Sequence, residues 1–144
     1  MGLLSRLMGK TQERKASDDV LLMLAMLLMV ATDGSVDREE LASLEAYFVT
    51  LPDFQGKNFG NILQEAAKLM RKGSRADVVA QFANLSSQGL KDKAFLLAAD
   101  IALSSGDVDQ NEDALLDAMQ RVMSVNDATA RKIIEVLSIK YAVS

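Results

Sequence analysis

The sequence contains neither cysteine nor histidine, and these two absences narrow the chemistry available to the chain. Without cysteine it forms no disulfide, no zinc–thiolate site and no thiol nucleophile. Without histidine it lacks the commonest general base and a common metal ligand. A metal held by side chains would therefore be bound through oxygen, which favours a hard divalent cation such as Ca²⁺ or Mg²⁺.

Proline occurs once, and aromatic residues make up 5% of the 144 positions, whereas 49% are hydrophobic. Leu, Ala and Met dominate, a composition that favours helices over strands. The long apolar run at 20–31 has twelve residues, which is too short to cross a bilayer and suits a buried core helix. A chain of this length is expected to form one domain with a substantial core.

Positive charge is concentrated at the amino terminus. Residues 1–16 carry a net charge of +3 within a chain whose total is −4, which leaves −7 on the rest. An acidic body argues against nucleic-acid binding. Apolar residues at helical spacing make 1–16 a basic amphipathic lead, either a helix docked on the domain or a membrane-surface anchor. The lead matches neither a secretory signal nor a myristoylation motif, so a cytoplasmic protein is expected.

Residues 17–144 predict a single all-α domain, a compact bundle of about seven helices. Capping residues and apolar periodicity place the helices at 17–32, 37–50, 58–71, 74–85, 90–104, 109–123 and from 126 onward. The first helix is apolar on nearly every side, which predicts a central position. In the second helix, Leu41, Leu44 and Phe48 are expected to be buried. No stretch predicts a strand.

An acidic turn follows each of the two most hydrophobic helices. A shift of 72 residues aligns the pattern G-x-V-D-x-x-E at 34–40 with the same pattern at 106–112. We call 33–40 the first acidic corner and 105–112 the second. Asp33 aligns with Ser105, so the two copies differ at that position. The repeat predicts two helix-corner-helix units related by pseudo-symmetry, with the helices of 58–86 between them.

The first acidic corner is similar to the second half of an EF-hand loop. The positions that would supply the first ligands are Met29 and Ala31, and in the second corner they are Ile101 and Leu103. None of these side chains has a ligand oxygen, so a standard calcium loop is excluded at both corners.

Two interpretations of the acidic corners stay open. Their carboxylates could converge on one divalent cation, which would relieve their mutual repulsion. Alternatively they only cap helices, because an Asp at the N-cap and a Glu three residues later are stabilised by backbone N–H groups and the helix dipole. Acid–base catalysis by paired carboxylates is weakly supported, because no His, Cys or Gly-rich phosphate loop accompanies them.

The segments MLLMVATDGSVDREEL (26–41) and IALSSGDVDQNEDALL (101–116) resemble the TerB family of tellurite-resistance proteins, and VMSVNDATARKIIEVL (122–137) resembles its last helix. The resemblance implies an all-α fold of about seven helices and a cytoplasmic bacterial protein. It also implies a clustered acidic surface that binds divalent metal. The implied partners are other tellurite-resistance proteins, among them the membrane protein TerC.

Carried over position by position, the resemblance assigns the candidate metal ligands as Asp33, Asp37, Glu40, Asp109 and Glu112. Ser105 departs from the acidic residue often found before the glycine, which weakens the second corner as a ligand set. The sequence therefore predicts a non-enzymatic tellurite- and stress-resistance protein that binds a divalent cation, partner proteins or both. The first alternative is an interaction adapter without metal, attached to the inner face of the membrane through residues 1–16. The second is a metal-dependent hydrolase.

Overall fold

The computed structural model describes residues 16–32 and 34–143, and within these ranges it contains helices and no strand. The predicted all-α fold of seven helices is confirmed for this part of the chain. Most of the predicted basic lead lies outside the described residues. No helix in the described ranges is long and apolar enough to cross a membrane. The α-helices are α1 (Asp18–Val30), α2 (Arg38–Thr50), α3 (Phe59–Met70), α4 (Arg75–Ala80), α5 (Gln88–Ser104), α6 (Gln110–Val122) and α7 (Asp127–Lys140).

Helix α1 forms the centre of the bundle, as its all-round apolar pattern predicts. Every residue from 20 to 30 is buried, with at most 7% of its surface exposed. Helix α1 packs chiefly against α3 and α5, and α5 packs in turn against α6 and α7. Because a fully buried Leu or Met contributes about 1.5–3 kcal/mol, this one helix supplies a large share of the hydrophobic stabilisation.

The start of α1 is held by two carboxylates. Asp18 accepts hydrogen bonds from the Ser86 backbone N–H at 3.0 Å and the Ser86 hydroxyl at 2.6 Å. Asp19 is buried and pairs with Lys57 at 2.5 Å. Burial alone would raise the pKa of Asp19, but the bonds from Lys57, Ser17 and the Val20 N–H outweigh it and lower the pKa.

Side-chain caps determine where most helices begin. Helix α5 starts at Gln88, two residues before the predicted position, because the Ser87 hydroxyl accepts a hydrogen bond from the Leu90 N–H at 3.1 Å. Helix α4 is shorter than predicted and continues as a 3₁₀ turn, Gln81–Asn84. The other residues whose side chains cap a following helix are Asp37, Asn58, Ser74, Asp109 and Asn126.

Helix α2 contacts the core through a narrow face. Leu44 and Phe48 are buried as predicted, and Phe48 stacks on Phe54 with ring centroids 5.0 Å apart. The prediction that Leu41 is buried is wrong, since 39% of its surface is exposed. Leu41 and Val49 are eight positions apart, two helical turns, and therefore share the solvent-facing side of α2.

Candidate acidic site at the helix corners

The first acidic corner joins α1 to α2 through a left-handed glycine and a capping box. The Gly34 N–H donates to the Ala31 carbonyl at 2.9 Å, and Gly34 has φ +94°. The Asp37 carboxylate accepts from the Glu40 N–H at 2.8 Å, and the Glu40 carboxylate accepts from the Asp37 N–H at 3.0 Å. One oxygen of each carboxylate thus satisfies a backbone donor that the helix leaves unpaired.

The second acidic corner joins α5 to α6 with the same local bonds. The Gly106 N–H donates to the Leu103 carbonyl at 3.1 Å, and φ of Gly106 is +82°. Asp109 accepts from the Glu112 N–H at 2.8 Å, and Glu112 accepts from the Asp109 N–H at 3.2 Å. The shared sequence pattern therefore produces the same backbone geometry at both corners. The pseudo-symmetry of two complete units stays a prediction.

The two acidic corners open onto one cleft of about 430 Å³. Glu40 reaches it from the first corner, and Asp109 and Glu112 reach it from the second. Sequence alone left open whether the corners meet, and the packing of α1 against α5 brings them together. We call this space the corner cleft; its lining residues are Met29, Val30, Thr32, Glu40, Ser43, Tyr47, Ile101, Ser104, Ser105, Asp109, Glu112 and Tyr141.

The predicted ligands differ in where they lie. Glu40, Asp109 and Glu112 line the corner cleft, whereas Asp37, also a described residue, is not part of its lining. Asp33 lies outside the described residues. Among the residues that the structure describes, no three carboxylates are grouped closely enough to form a ready-made metal site. A cation bound here would draw the carboxylates of the two corners together.

A buried carboxylate lies beside the cleft-lining tyrosines, and sequence reasoning missed it. Asp100, on α5, is 7% exposed. It accepts a hydrogen bond from the Tyr141 hydroxyl and pairs with Lys140, whose Nζ lies 3.0 Å from Oδ2. Burial, followed by Asp100 and Tyr141, raises the pKa of Tyr47 far above its usual range. The bond to Asp100, followed by that to Tyr141, raises the pKa of Lys140.

This cluster joins three helices behind the corner cleft. Tyr47 comes from α2, Asp100 from α5 and Tyr141 from the end of α7, and both tyrosines line the cleft. The signal in the sequence was a single acidic residue inside the apolar run of 94–103. A charge in such a run is buried only when it is paired. A cationic partner for Asp100 could therefore have been predicted, but the sequence does not show which residue it is.

A larger cleft of about 600 Å³ lies between α6 and α7. It is lined by acidic side chains of both helices and by Arg131. None of the capping carboxylates of the described corners lines it, so it does not connect the two repeats of the motif. The corner cleft is therefore the better candidate site, although it is the smaller of the two.

A model of the family described as tellurite resistance protein TerB matches residues 19–134. The match covers most of the chain and includes both acidic corners. The chain belongs to this family. Comparisons with curated proteins and with solved structures gave no match. Membership in the TerB family links the chain to tellurite resistance and confirms the resemblance seen in the sequence.

Proposed function

We propose that this TerB-family protein serves tellurite and stress resistance as a binding protein and not as an enzyme. Its ligand is a divalent cation, Ca²⁺ or Mg²⁺, held at the corner cleft. The observation that carries the proposal is the convergence of the two acidic corners, with Glu40, Asp109 and Glu112 on one cleft. Three negative charges at one cleft repel one another, and a divalent cation would offset that repulsion.

The oxygens of the cleft suit a hard cation. The capping boxes use Oε1 of Glu40 and Oδ1 of Asp109, so the second oxygen of each carboxylate is the one that would coordinate the ion. The hydroxyl groups of Thr32 and Ser104 also line the cleft. Ca²⁺ accepts six to eight such oxygens in flexible geometry, which suits ligands drawn from two separate corners. Asp33, which precedes Gly34, would be a further ligand.

Catalysis has less support than binding. The chain has no histidine or cysteine to supply a nucleophile or a base. A metal-dependent hydrolase is therefore the least favoured alternative.

The proposed partners are other tellurite-resistance proteins, including the membrane protein TerC, with the protein on the cytoplasmic side of the membrane. This part of the proposal rests on the family resemblance. A cation bound between the corners would fix the position of α2, whose outer face exposes Leu41 and Val49. An adapter that binds partners without metal is the alternative, and in it the corners act only as caps.

Calorimetric titration with Ca²⁺, Mg²⁺ and Mn²⁺ tests the cation proposal on a matched pair of variants. Asp109→Asn and Asp37→Asn each remove one charge, and each keeps its helix cap because Asn caps as well as Asp. We expect Asp109→Asn, in the cleft, to weaken cation binding by about tenfold or more, a loss of roughly one strong ligand interaction. Asp37→Asn, outside the cleft lining, should weaken it by much less.

The thermal unfolding temperature provides a second measurement. A cation that binds the folded state should raise it in proportion to the logarithm of the ion concentration. No heat and no thermal shift with any of the three ions would overturn the cation proposal and leave the adapter. Turnover of a phosphoester panel that Asp109→Asn abolishes would instead overturn the assignment as a binding protein.

A further inference from the structure

The larger cleft, between α6 and α7, exists because these two helices hardly contact each other. Each of them packs against α5, whereas α6 and α7 are not packed together although they follow one another in the chain. The space left between them has a volume of about 600 Å³, and we call it the acidic groove. Since packed helices lie about 8–10 Å apart, a groove between two separated helices is a place where a further helix fits.

The floor of the acidic groove is apolar. Phe95 of α5, Leu116 of α6 and Ala130 of α7 line it and are at most 9% exposed. Ile134 of α7 is half-buried and lines the groove as well. Because three helices contribute to this floor, its shape is determined by the packing of the bundle and not by a loop.

The rims of the acidic groove carry mainly negative charge. Four carboxylates and one guanidinium, that of Arg131, line the groove, which leaves a net charge of −3. Two of the carboxylates, Asp113 and Asp127, lie in the first turn of a helix and complement its dipole. The other two, Asp117 and Glu135, lie in the middle of α6 and α7, so the requirements of a helix start do not account for them.

The carboxylates of the rims contribute little to holding the fold together. Asp117 pairs with Arg121 on the same helix at 3.3 Å, and both side chains are largely exposed, so this pair adds little stability. Asp113 and Glu135 take part in none of the ion pairs found in the described part of the chain. These negative charges are therefore available to a cationic partner.

We propose that the acidic groove is the docking site for a basic amphipathic helix of a partner protein. The apolar stripe of that helix covers the floor, and Lys or Arg residues on either side of the stripe pair with the rims. The lining residues run from 110 to 120 on α6 and from 127 to 135 on α7, which correspond to lengths of about 15 and 12 Å. The docked part of the partner is therefore a helix of about two to three turns.

Other kinds of partner fit the acidic groove less well. A strand needs an open sheet edge, and the described residues form no strand. A proline-rich segment needs a groove lined by aromatic rings, and Phe95 is the single aromatic residue in this lining. Nucleic acid and anionic membranes are repelled by the negative charge of the rims.

Nuclear magnetic resonance titration of the full chain tests this docking site, with a chelator present so that the result is independent of the cation proposal. The probe is a synthetic helical peptide of about three turns, with leucines on one face and lysines on either side of them. One control peptide has the same composition with the leucines scattered, and another has glutamates in place of the lysines. We expect the probe alone to shift the backbone amide resonances, chiefly those of 110–120 and 127–135, and to bind less tightly as salt is added.

A matched pair of variants tests the position of the bound peptide. Ala114 and Ala42 are exposed alanines of α6 and α2, and Ala114 lines the acidic groove whereas Ala42 does not. Ala114→Arg places a bulky cation in the groove and should weaken binding of the probe by about tenfold or more. Ala42→Arg makes the same change in net charge and should bind within about twofold of the wild type.

A second pair of variants removes charge instead of adding it. The double variant Asp117→Asn, Glu135→Gln takes two carboxylates from the rims and should weaken binding of the probe by about tenfold. The double variant Glu45→Gln, Glu65→Gln takes two carboxylates from exposed positions that do not line the groove and should bind within about twofold of the wild type. This pair replaces the first if the amide spectrum shows that Ala114→Arg is not folded.

Three outcomes would overturn the proposal. The first is a wild type whose resonances do not respond to the probe, or respond chiefly outside 110–120 and 127–135. The second is equal binding of the probe and the peptide with scattered leucines, which would show that charge alone attracts the probe and that the apolar floor is not used. The third is an equal loss of binding in the groove variants and their controls.

Discussion

The two acidic corners have the same local structure but different surroundings. Each has a left-handed glycine followed by an Asp–Glu capping box. In the second corner both members of the box line the cleft, whereas in the first corner Glu40 lines it and Asp37 does not. The helices that follow differ as well: Tyr47 lines the cleft, and the position 72 residues later is Met119, which is fully buried.

This difference separates what a motif specifies from what packing specifies. The pattern G-x-V-D-x-x-E defines a turn and a helix start, because its glycine and its two acids satisfy backbone requirements. It does not determine which way the capping side chains face relative to the other helices. Variants made in pairs, one at each corner, can therefore test whether local structure and site geometry are independent.

The largest expected effect is in the core below each corner. Leu44→Ala should destabilise the protein by about 3–4 kcal/mol, and Leu116→Ala by roughly 1 kcal/mol less, since truncating a buried leucine costs about 2–5 kcal/mol depending on the cavity left. Leu44 is fully buried, whereas 9% of Leu116 is exposed. Urea denaturation of both variants measures the difference. A greater loss for Leu116→Ala would show that the second corner, and not the first, is the more tightly packed.

A smaller effect is expected at the glycines. Gly34→Ala and Gly106→Ala should each cost about 1–2 kcal/mol, because both positions have positive φ while an added Cβ would meet no atom within 4 Å. Thermal unfolding should therefore give similar losses at the two corners. Gly89→Ala, in α5 at ordinary φ with only a 3.8 Å contact, is the control and should stabilise by about 0.4–1 kcal/mol. Unequal losses at the two corners would contradict their equivalence.

The smallest effect at neutral pH is expected for Tyr47→Phe, about 1 kcal/mol for loss of the hydroxyl. Burial, followed by Asp100 and Tyr141, raises the pKa of Tyr47 above its ordinary value of 10.0, so the unfolded chain loses this proton first. Stability that is fully present below pH 10 should therefore fall as the pH rises above it. Tyr47→Phe should make that fall shallower in urea denaturation between neutral and alkaline pH.

The matched control for this variant is Met119→Leu, at the equivalent position of the second repeat. It replaces one buried apolar side chain with another of similar volume and introduces no titratable group, so the alkaline curve should keep its shape. Part of the stability lost at alkaline pH should still be lost in all variants, because Asp100 also raises the pKa of Lys140. If stability falls with alkaline pH as steeply in Tyr47→Phe as in the wild type, the pKa of Tyr47 is the same in the folded and unfolded states.

The helices could be predicted closely because their ends are determined by nearby residues. The sequence predicts caps at Asp37, Ser74, Asp109 and Asn126, and the side chain of each caps a helix. Ser17 precedes α1 as expected, but its side chain makes no capping hydrogen bond. The errors concerned which face of a helix is buried. Leu41 is apolar and three positions before Leu44, so it was expected on the same buried face of α2. The buried face of α2 is narrow, however, and does not include Leu41.

The sequence could propose residues for a candidate site but not how they are arranged. The acidic side chains could be selected from the repeated motif, whereas their convergence depends on how α1 packs against α5. Asp100 and Tyr47 escaped prediction for the same reason, because their interaction joins residues 53 positions apart. Long-range contacts of this kind have no local pattern that a single sequence displays.

The burial of α1 also constrains how the chain can fold as it is synthesised. Its partner α5 begins 70 residues after α1 begins, so α1 leaves the ribosome well before half of its packing surface exists. During that interval the apolar surface of α1 is not fully buried, so the nascent chain is prone to aggregate. Because of this delay, we expect α1 in the nascent chain to be protected by a chaperone or by transient contacts with α3. It also means that a fragment ending before α5 should be insoluble, so the domain should fold as one cooperative unit only after its second half is made.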